Sequence, residues 1–294
     1  MAYEFVIADV FTQQPFGGNQ LAVFPDARGL SGAMMQALAR EFNFSETAFA
    51  FPLAPGRGYR LRIFAPHEEL PFAGHPTIGT ASVLAAGGHG EAGTAEGRLT
   101  FEESIGPVTV DVRGSFSRLA LDIPFEAPTH RPSLTAVAGA LTLPEDDILE
   151  CWYGGVGLNF CYVRLASAES VDRAVLDRAA WAAGIAHGWS PHLYVFAGEF
   201  RSGGTLYARA FAPGSGVDED PATGSACAGL AGSLARRSRQ TEGEHTLRIE
   251  QGVRMGRPSL IEAGARTEGG RLAGITVGGF TTIVGKGALT VPDR

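Results

Sequence analysis

One pattern occurs twice in this chain. Arg62-Ile-Phe-Ala-Pro66 is followed by His75-Pro-Thr-Ile-Gly-Thr-Ala81 and the small apolar run Ser82-Val-Leu-Ala-Ala86. About 145 residues later come Arg209-Ala-Phe-Ala-Pro213, Asp220-Pro-Ala-Thr-Gly-Ser-Ala226 and Cys227-Ala-Gly-Leu-Ala-Gly-Ser-Leu-Ala235. The pentapeptides share four of five residues; the heptapeptides share Pro, Gly and Ala in register, with Thr80 answered by Ser225. So long a period is no solenoid, whose units run about 20 to 50 residues; it reads as a duplicated domain. The same shift aligns Ser45-Glu-Thr-Ala-Phe-Ala-Phe51 with Ser190-Pro-His-Leu-Tyr-Val-Phe196, and a shift of 140 pairs Asn19 with Asn159 and Val23 with Val163. Each half thus runs in one order: a hairpin carrying Asn, a helix, two strands, a Pro/Gly loop and a helix of small residues.

With 294 residues, 45% of them apolar and 19% charged, the chain can bury two such cores. A net charge of −7 argues against nucleic acid or an anionic membrane as partner and favours a small molecule. The first residues carry no basic flank or long apolar core, and no apolar run approaches the roughly 20 residues of a membrane span, so a cytoplasmic protein is expected. Cys151, Cys161 and Cys227 lack metal-ligand spacing, and an odd count speaks against a disulfide framework; buried thiols are expected.

Strands are expected near 4–11, 21–24, 44–52, 59–65, 98–103, 107–113 and 117–122, and in the second half near 158–165, 192–198, 204–212, 246–251, 258–264, 271–277 and 280–285. Helices are expected from the N-cap Ser31 to about Phe42, from the first small-residue run to Gly87-Gly88, near 133–141 and 170–183, and from about 224 to 238. This gives an α+β fold of two pseudo-symmetric domains, each a mostly antiparallel curled sheet around a central helix. Residues 1–123 form the first domain, to which a strand near 280–294 returns, and 124–279 form the second.

In each half a Gly/Thr/Ser segment enters an apolar helix, whose first N–H groups and positive dipole end suit an anion. Thr77, Gly79 and Thr80 would form one such place, and Thr223, Gly224 and Ser225 the other. Ordinary capping explains either segment alone; their pairing points to a site between the halves. The duplication did not preserve everything. His75 stands where Asp220 stands, and Glu46 where Pro191 stands. Glu46 opens an otherwise apolar strand, where desolvation would raise its pKa toward neutrality and suit it to move a proton. His75 would donate a proton or hydrogen-bond substrate, with Asp220 orienting it or binding an amine. Glu68, Glu69, Asp218 and Glu219 read as solvated loop residues, with Glu219 helping to shape the second loop. No dinucleotide fingerprint, P-loop or metal spacing is present.

These residues resemble the phenazine-biosynthesis PhzF-like family, within the diaminopimelate epimerase superfamily. The resemblance rests on Asp9-Val-Phe-Thr12, Phe16-Gly-Gly-Asn-Gln-Leu-Ala-Val23, Glu46-Thr-Ala-Phe49, Pro71-Phe-Ala-Gly-His-Pro-Thr77, Glu219-Asp-Pro-Ala-Thr-Gly-Ser-Ala226 and Gln251-Gly-Val-Arg-Met-Gly-Arg-Pro-Ser259. It implies two similar domains and a homodimer. It also implies an acid/base role for Glu46, with His75, Asp220 and Ser225 lining the site. The epimerase relatives use a cysteine from each domain, but the matching loops here carry Gly74-His75 and Asp220-Pro221. The expectation is a cofactor-free, metal-free isomerase of a small carboxylated, unsaturated or amino-bearing metabolite. Its catalytic residues would be Glu46, His75 and Asp220, and its substrate-binding residues Asn19, Gly74, Thr223, Gly224, Ser225 and Ala226. An epimerase lacking the cysteine pair, or a non-catalytic metabolite-binding protein on the same scaffold, are the alternatives.

Overall fold

A computed structural model describes residues 2–54, 57–87, 96–121, 124–199, 203–238 and 241–291. The chain divides into two compact units, Met1–Ala120 with Gly278–Arg294, and Leu121–Val277. The expected boundary at residue 123, the Gly88 half of the first helix stop and residues 292–294 of the expected last strand lie outside the described residues.

The first unit opens with β1 (Ala2–Val10) and β2 (Asn19–Phe24), antiparallel from Val10↔Asn19 to Val6↔Val23. Then come α1 (Gly32–Phe42), β3 (Glu46–Pro52), β4 (Tyr59–Phe64), β5 (Glu69–Leu70), α2 (Gly74–Ala86), β6 (Glu96–Glu103), β7 (Gly106–Arg113) and β8 (Phe116–Leu121). β3 runs parallel to β2 with Glu46 opposite Leu21, β4 parallel to β6, and the remaining neighbours antiparallel. α1 begins as its cap dictates: Ser31 Oγ accepts from the Met34 N–H at 3.3 Å. It ends at Asn43 in the left-handed region, whose N–H returns to the Ala39 carbonyl. Met35, Leu38 and Ala39 turn inward onto Phe24, Phe49 and Phe64, with the Phe24 and Phe49 rings stacked at 4.8 Å.

By contrast, α2 has no wet face: every residue from His75 to Leu84 is buried. Such a helix must lie within a core. A Cβ on Gly79 would come within 2.6 Å of Leu21 and Val10, so the glycine sets how closely α2 approaches β1 and β2.

The second unit contains β9 (Phe125–Glu126), α3 (Leu134–Leu141), β10 (Ile148–Val156), β11 (Leu158–Leu165), α4 (Ala168–Arg173), α5 (Arg178–Gly184), β12 (Leu193–Gly198), β13 (Gly204–Ala212), β14 (Val217–Asp220), α6 (Gly224–Arg237), β15 (Gly243–Gln251) and β16 (Ser259–Glu268). The parallel pairs recur at corresponding places, β11 with β12 and β13 with β15. α6 is the counterpart of α2, buried along most of its length. A Cβ on Gly229 would stand 2.3 Å from the Tyr162 hydroxyl and 3.2 Å from the Gly155 Cα. The last strand, β17 (Arg271–Thr290), supplies residues to both units; its later part pairs with β1, from Thr281↔Val10 to Thr290↔Ala2. Each unit is thus α+β, with a mostly antiparallel sheet packed on one small-residue helix. No helix among the described residues is long and apolar enough to cross a membrane.

The short strands β5, β9 and β14 were not expected, and three longer elements also differ from the sequence reading. β10 was not expected; its Gly154-Gly155 pair marks close approach, by α6 and by the tight reversal at Gly157. The helix expected near 170–183 is two. The N–H groups of Val175 and Asp177 donate to the Leu141 and Ala140 carbonyls at the end of α3, and Asp177 then caps α5. The strands expected at 271–277 and 280–285 are one, since Gly278 accommodates the Ser117 carbonyl, 2.8 Å from where its Cβ would be, rather than a turn.

Candidate active site

In the first unit, the loop between β1 and β2 is fixed by a buried aspartate. Asp9 Oδ2 accepts the Phe16 N–H at 2.6 Å, and Phe16 sits at φ 68°, its ring exposed. This loop delivers Asn19, 2% exposed, to the first position of β2. Glu46 occupies the first position of the parallel neighbour β3. Between them Ser45 donates its hydroxyl to Asn19 Oδ1 at 3.1 Å. The start of α2 then brings His75 up to Glu46, with Nε2 3.5 Å from Oε2 and side-chain exposures of 6% and 18%.

Glu46 Oε2 is buried and accepts no hydrogen bond. Burial pushes the Glu46 carboxyl up from an ordinary 4.5 to about 7, the Ser45 hydroxyl pulling modestly the other way. A group poised there exists in both protonation states near neutral pH, as proton transfer to and from carbon requires.

The expected anion cradle at Thr77, Gly79 and Thr80 is corrected. α2 starts a turn earlier, at Gly74, and these three residues are buried in its body. The Thr77 N–H already donates to the Ala73 carbonyl, at 3.3 Å. Pro76 fits this early start, having no N–H to lose in the first turn, but its repeat counterpart Pro221 lies ahead of α6, so proline alone does not set where the helix begins. The first turn ahead of Thr77 therefore carries N–H groups only on Gly74 and His75. His75 is consequently the second residue of a helix, whereas Asp220, its partner in the sequence repeat, ends a strand four residues before α6.

In the second unit, the helix start lies where the sequence expected it. Thr223 precedes α6, the Cys227 N–H closes the first turn on the Thr223 carbonyl at 3.1 Å, and Gly224, Ser225 and Ala226 supply its first three N–H groups. Thr223 Oγ1 donates to Asp220 Oδ2 at 2.5 Å. Gln251, fully buried at the end of β15, organises this turn. Its Nε2 donates to the Asp220 carbonyl at 2.8 Å and Thr223 Oγ1 at 3.0 Å, while its Oε1 accepts from Tyr194 at 3.0 Å and the Thr223 N–H at 3.3 Å. All four hydrogen-bonding positions of the amide are used. The sequence reading missed this role, although Gln251 opens one of the motifs carrying the resemblance.

The cysteines are packed away. Cys227 lies on α6 with its sulfur 3.2 Å from the Tyr194 hydroxyl, and burial pushes its thiol up to about 12. Cys151 and Cys161 are buried as well, their thiols raised by the same cause. None is poised as a thiolate base.

The repeated pentapeptide has a structural meaning. Arg62 grips Glu69 with two hydrogen bonds, of 2.6 and 2.5 Å, and lies 5.1 Å over the Phe64 ring. Arg209 grips Glu219 at 2.7 and 2.8 Å and lies 4.9 Å over Phe211. Asp218 pairs with Arg178. Glu69 and Asp218 are exposed, as expected, but each is ion-paired and lies in a short strand, and Glu219, expected to help shape the second loop, is held by Arg209.

A sheet packed on a buried small-residue helix, found twice in one chain, defines the diaminopimelate epimerase-like fold, and the comparisons agree. A phenazine biosynthesis protein of the PhzF family from Bacillus anthracis superposes with a TM-score of 0.86 over 99% of this chain and 100% of that one, at 22% identity. A probable proline racemase from Agrobacterium radiobacter reaches 0.64 at 15% identity, over 99% and 93% of the two chains. Residues 8–287 match the model of the phenazine biosynthesis-like (PhzC-PhzF) proteins, and the chain belongs to that family. An uncharacterized isomerase of Mesorhizobium japonicum is 37% identical, covering 98% of both chains. The trans-2,3-dihydro-3-hydroxyanthranilate isomerase of Pseudomonas fluorescens is 34% identical over 98% of this chain and 100% of its own. The protein is an enzyme of the isomerase class.

Proposed function

We propose that the protein moves a proton between two carbons of a small carboxylated, unsaturated or amino-bearing metabolite, with Glu46 as the acid/base. Ionised Glu46 takes the proton from one carbon as the electron pair enters the conjugated system. The neutral acid, favoured by its dry surroundings, returns a proton at the far end, so the double bonds shift with no net loss or gain of atoms. His75 hydrogen-bonds the reacting group. The N–H groups of Gly224, Ser225 and Ala226 at the start of α6 hold the substrate carboxylate, as helix N-termini hold anions, and Asp220 receives an amine. Gly74 and Asn19 complete the binding set. The observation that carries the reading is the Glu46 carboxyl, buried at the mouth of a strand and held near pKa 7.

The test is proton NMR in D2O with trans-2,3-dihydro-3-hydroxyanthranilate and a panel of amino and unsaturated acids. Wild type should bring deuterium into one compound and shift its double bonds. Its turnover number should rise as the pH climbs through about 7, since the carboxylate is the base. Glu46→Gln should lose on the order of 10² to 10⁴ in rate while keeping its fold. A folded, fully active Glu46→Gln protein would remove Glu46 from the mechanism. Deuterium entering one stereocentre with no double-bond shift would replace isomerisation by epimerisation.

A further inference from the structure

Another buried carboxyl, besides Asp9 of β1, takes no part in that chemistry. Glu103 ends β6 and is 9% exposed; its Oε1 lies 2.8 Å from Thr77 Oγ1, and its buried Oε2 has no hydrogen-bond partner. Thr77 Oγ1 is also 2.9 Å from the carbonyl oxygen of Ala73. A hydroxyl has one proton to donate, and here two oxygens stand ready to accept it. If Glu103 is ionised, either a buried carboxylate is left with no hydrogen bond or the Ala73 carbonyl loses the bond from the Thr77 hydroxyl and keeps only the longer one from the Thr77 N–H. If Glu103 is protonated on Oε1, both contacts are made at once: Glu103 donates to Thr77, and Thr77 donates to Ala73.

The surroundings favour the neutral form. On β6 the adjacent Glu102 takes the nearby cations, Arg57 at 3.5 Å and Arg60 at 3.9 Å. β7 sets Gly106 and Pro107 across from Glu103 and Glu102, with no titratable group. β4 contributes Tyr59 and Arg60, paired with Phe101 and Glu102. α2 contributes Thr77 and, two residues before it, His75. Burial pushes the Glu103 carboxyl up to about 8, opposed only by the Thr77 hydroxyl.

The far end of this chain of bonds is Ala73, the residue before α2. The next two residues are Gly74 and His75, the latter facing Glu46. We propose that Glu103 is a positioning residue: in its protonated form it acts through Thr77 on the Ala73 carbonyl to fix the start of α2, and so the His75 ring. Ionisation of Glu103 draws the Thr77 hydroxyl away from Ala73 and loosens that anchor to the Thr77 N–H bond alone, giving the site an alkaline limit separate from the titration of Glu46. The catalytic meaning of the anchor rests on the proposed role of Glu46 and His75, but the anchor itself is read without turnover.

The experiment follows the histidine ring signals of ¹⁵N-labelled protein by NMR across pH 5 to 10, those of His75 being identified by their loss in His75→Asn. Wild type should give a step in the His75 shifts with a midpoint near 8. In Glu103→Gln, whose amide still donates to Thr77, the step near 8 should vanish, leaving only the change that accompanies Glu46 near 7, which Glu46→Gln removes. A step near 8 that survives in Glu103→Gln overturns the proposal. So does a wild-type Glu103 side-chain ¹³C signal that titrates near the ordinary 4.5, a reading available even if the variant fails to fold. A protein that turns over no compound in the panel yet shows the coupled step would sink the assigned reaction and leave the anchor standing.

Discussion

A carboxyl held near neutrality costs the folded state stability at the pH where it works. Below the ordinary value of 4.5 Glu46 is protonated in both folded and unfolded chains and costs nothing. As the pH rises from there to about 7, the unfolded chain releases the proton while the folded one keeps it, so stability falls; above about 7 the loss is complete. Glu46→Gln removes that penalty. The variant should match wild type near pH 4 and exceed it above pH 7 by at most about 3 kcal/mol, taking roughly 1.4 kcal/mol per pKa unit. Urea unfolding at the two pH values measures this, and an unchanging difference would show that the carboxyl is not desolvated. Glu46 was legible in the sequence because a lone carboxylate opening an apolar strand is conspicuous. Glu103 and Gln251 were not. Their roles depend on what the fold stacks against them, Thr77 in one case and the turn before α6 in the other, and neither neighbour lies close in sequence.

Most elements were legible because periodicity and caps are local: Ser31 starts α1, and Ser133 starts α3. The misread elements are those whose glycines answer to a distant partner. Gly155 in β10 and Gly278 in β17 look like turns until α6 and β8 are packed beside them. The start of α2 was misplaced for a different reason, because the repeat aligned His75 with Asp220 although the helix begins at Gly74 in the first unit and only at Gly224 in the second. At this scale the sharpest test is Gly229→Ala. The added methyl would collide with the Tyr162 hydroxyl, which donates to the Ala226 carbonyl in the first turn of α6 at 2.9 Å. Overpacking of this kind costs about 1–3 kcal/mol, read as a lower urea midpoint with unchanged slope. Loss of the Tyr162 bond should also weaken binding of a carboxylate ligand at that turn. A variant as stable as wild type would mean that α6 is not packed this tightly.

Across the whole molecule, the duplication kept the frame and spared the chemistry. The Arg-over-Phe pair clamped on a glutamate stands in both units, yet Glu46 has Pro191 for its counterpart. The repeat was therefore readable as architecture, and the departures from it as candidate function. The first unit, however, is not continuous in sequence. Phe280 accepts the Thr12 N–H, the Thr281 N–H donates to Ser115, and the strand beyond them runs along β1. Deleting the chain from residue 279 onward should speed hydrogen exchange in β1 and β2 while β10–β16 stay protected. Equal loss in both sets would show that the units do not hold separately. During synthesis this arrangement reverses the usual order of completion. The second unit is fully translated before the strand the first unit needs, and at roughly 5–20 residues per second the wait across residues 121–277 lasts about 10–30 s. Through that interval β1 has an open edge, and the unit carrying Glu46, begun before the other, is the last to close.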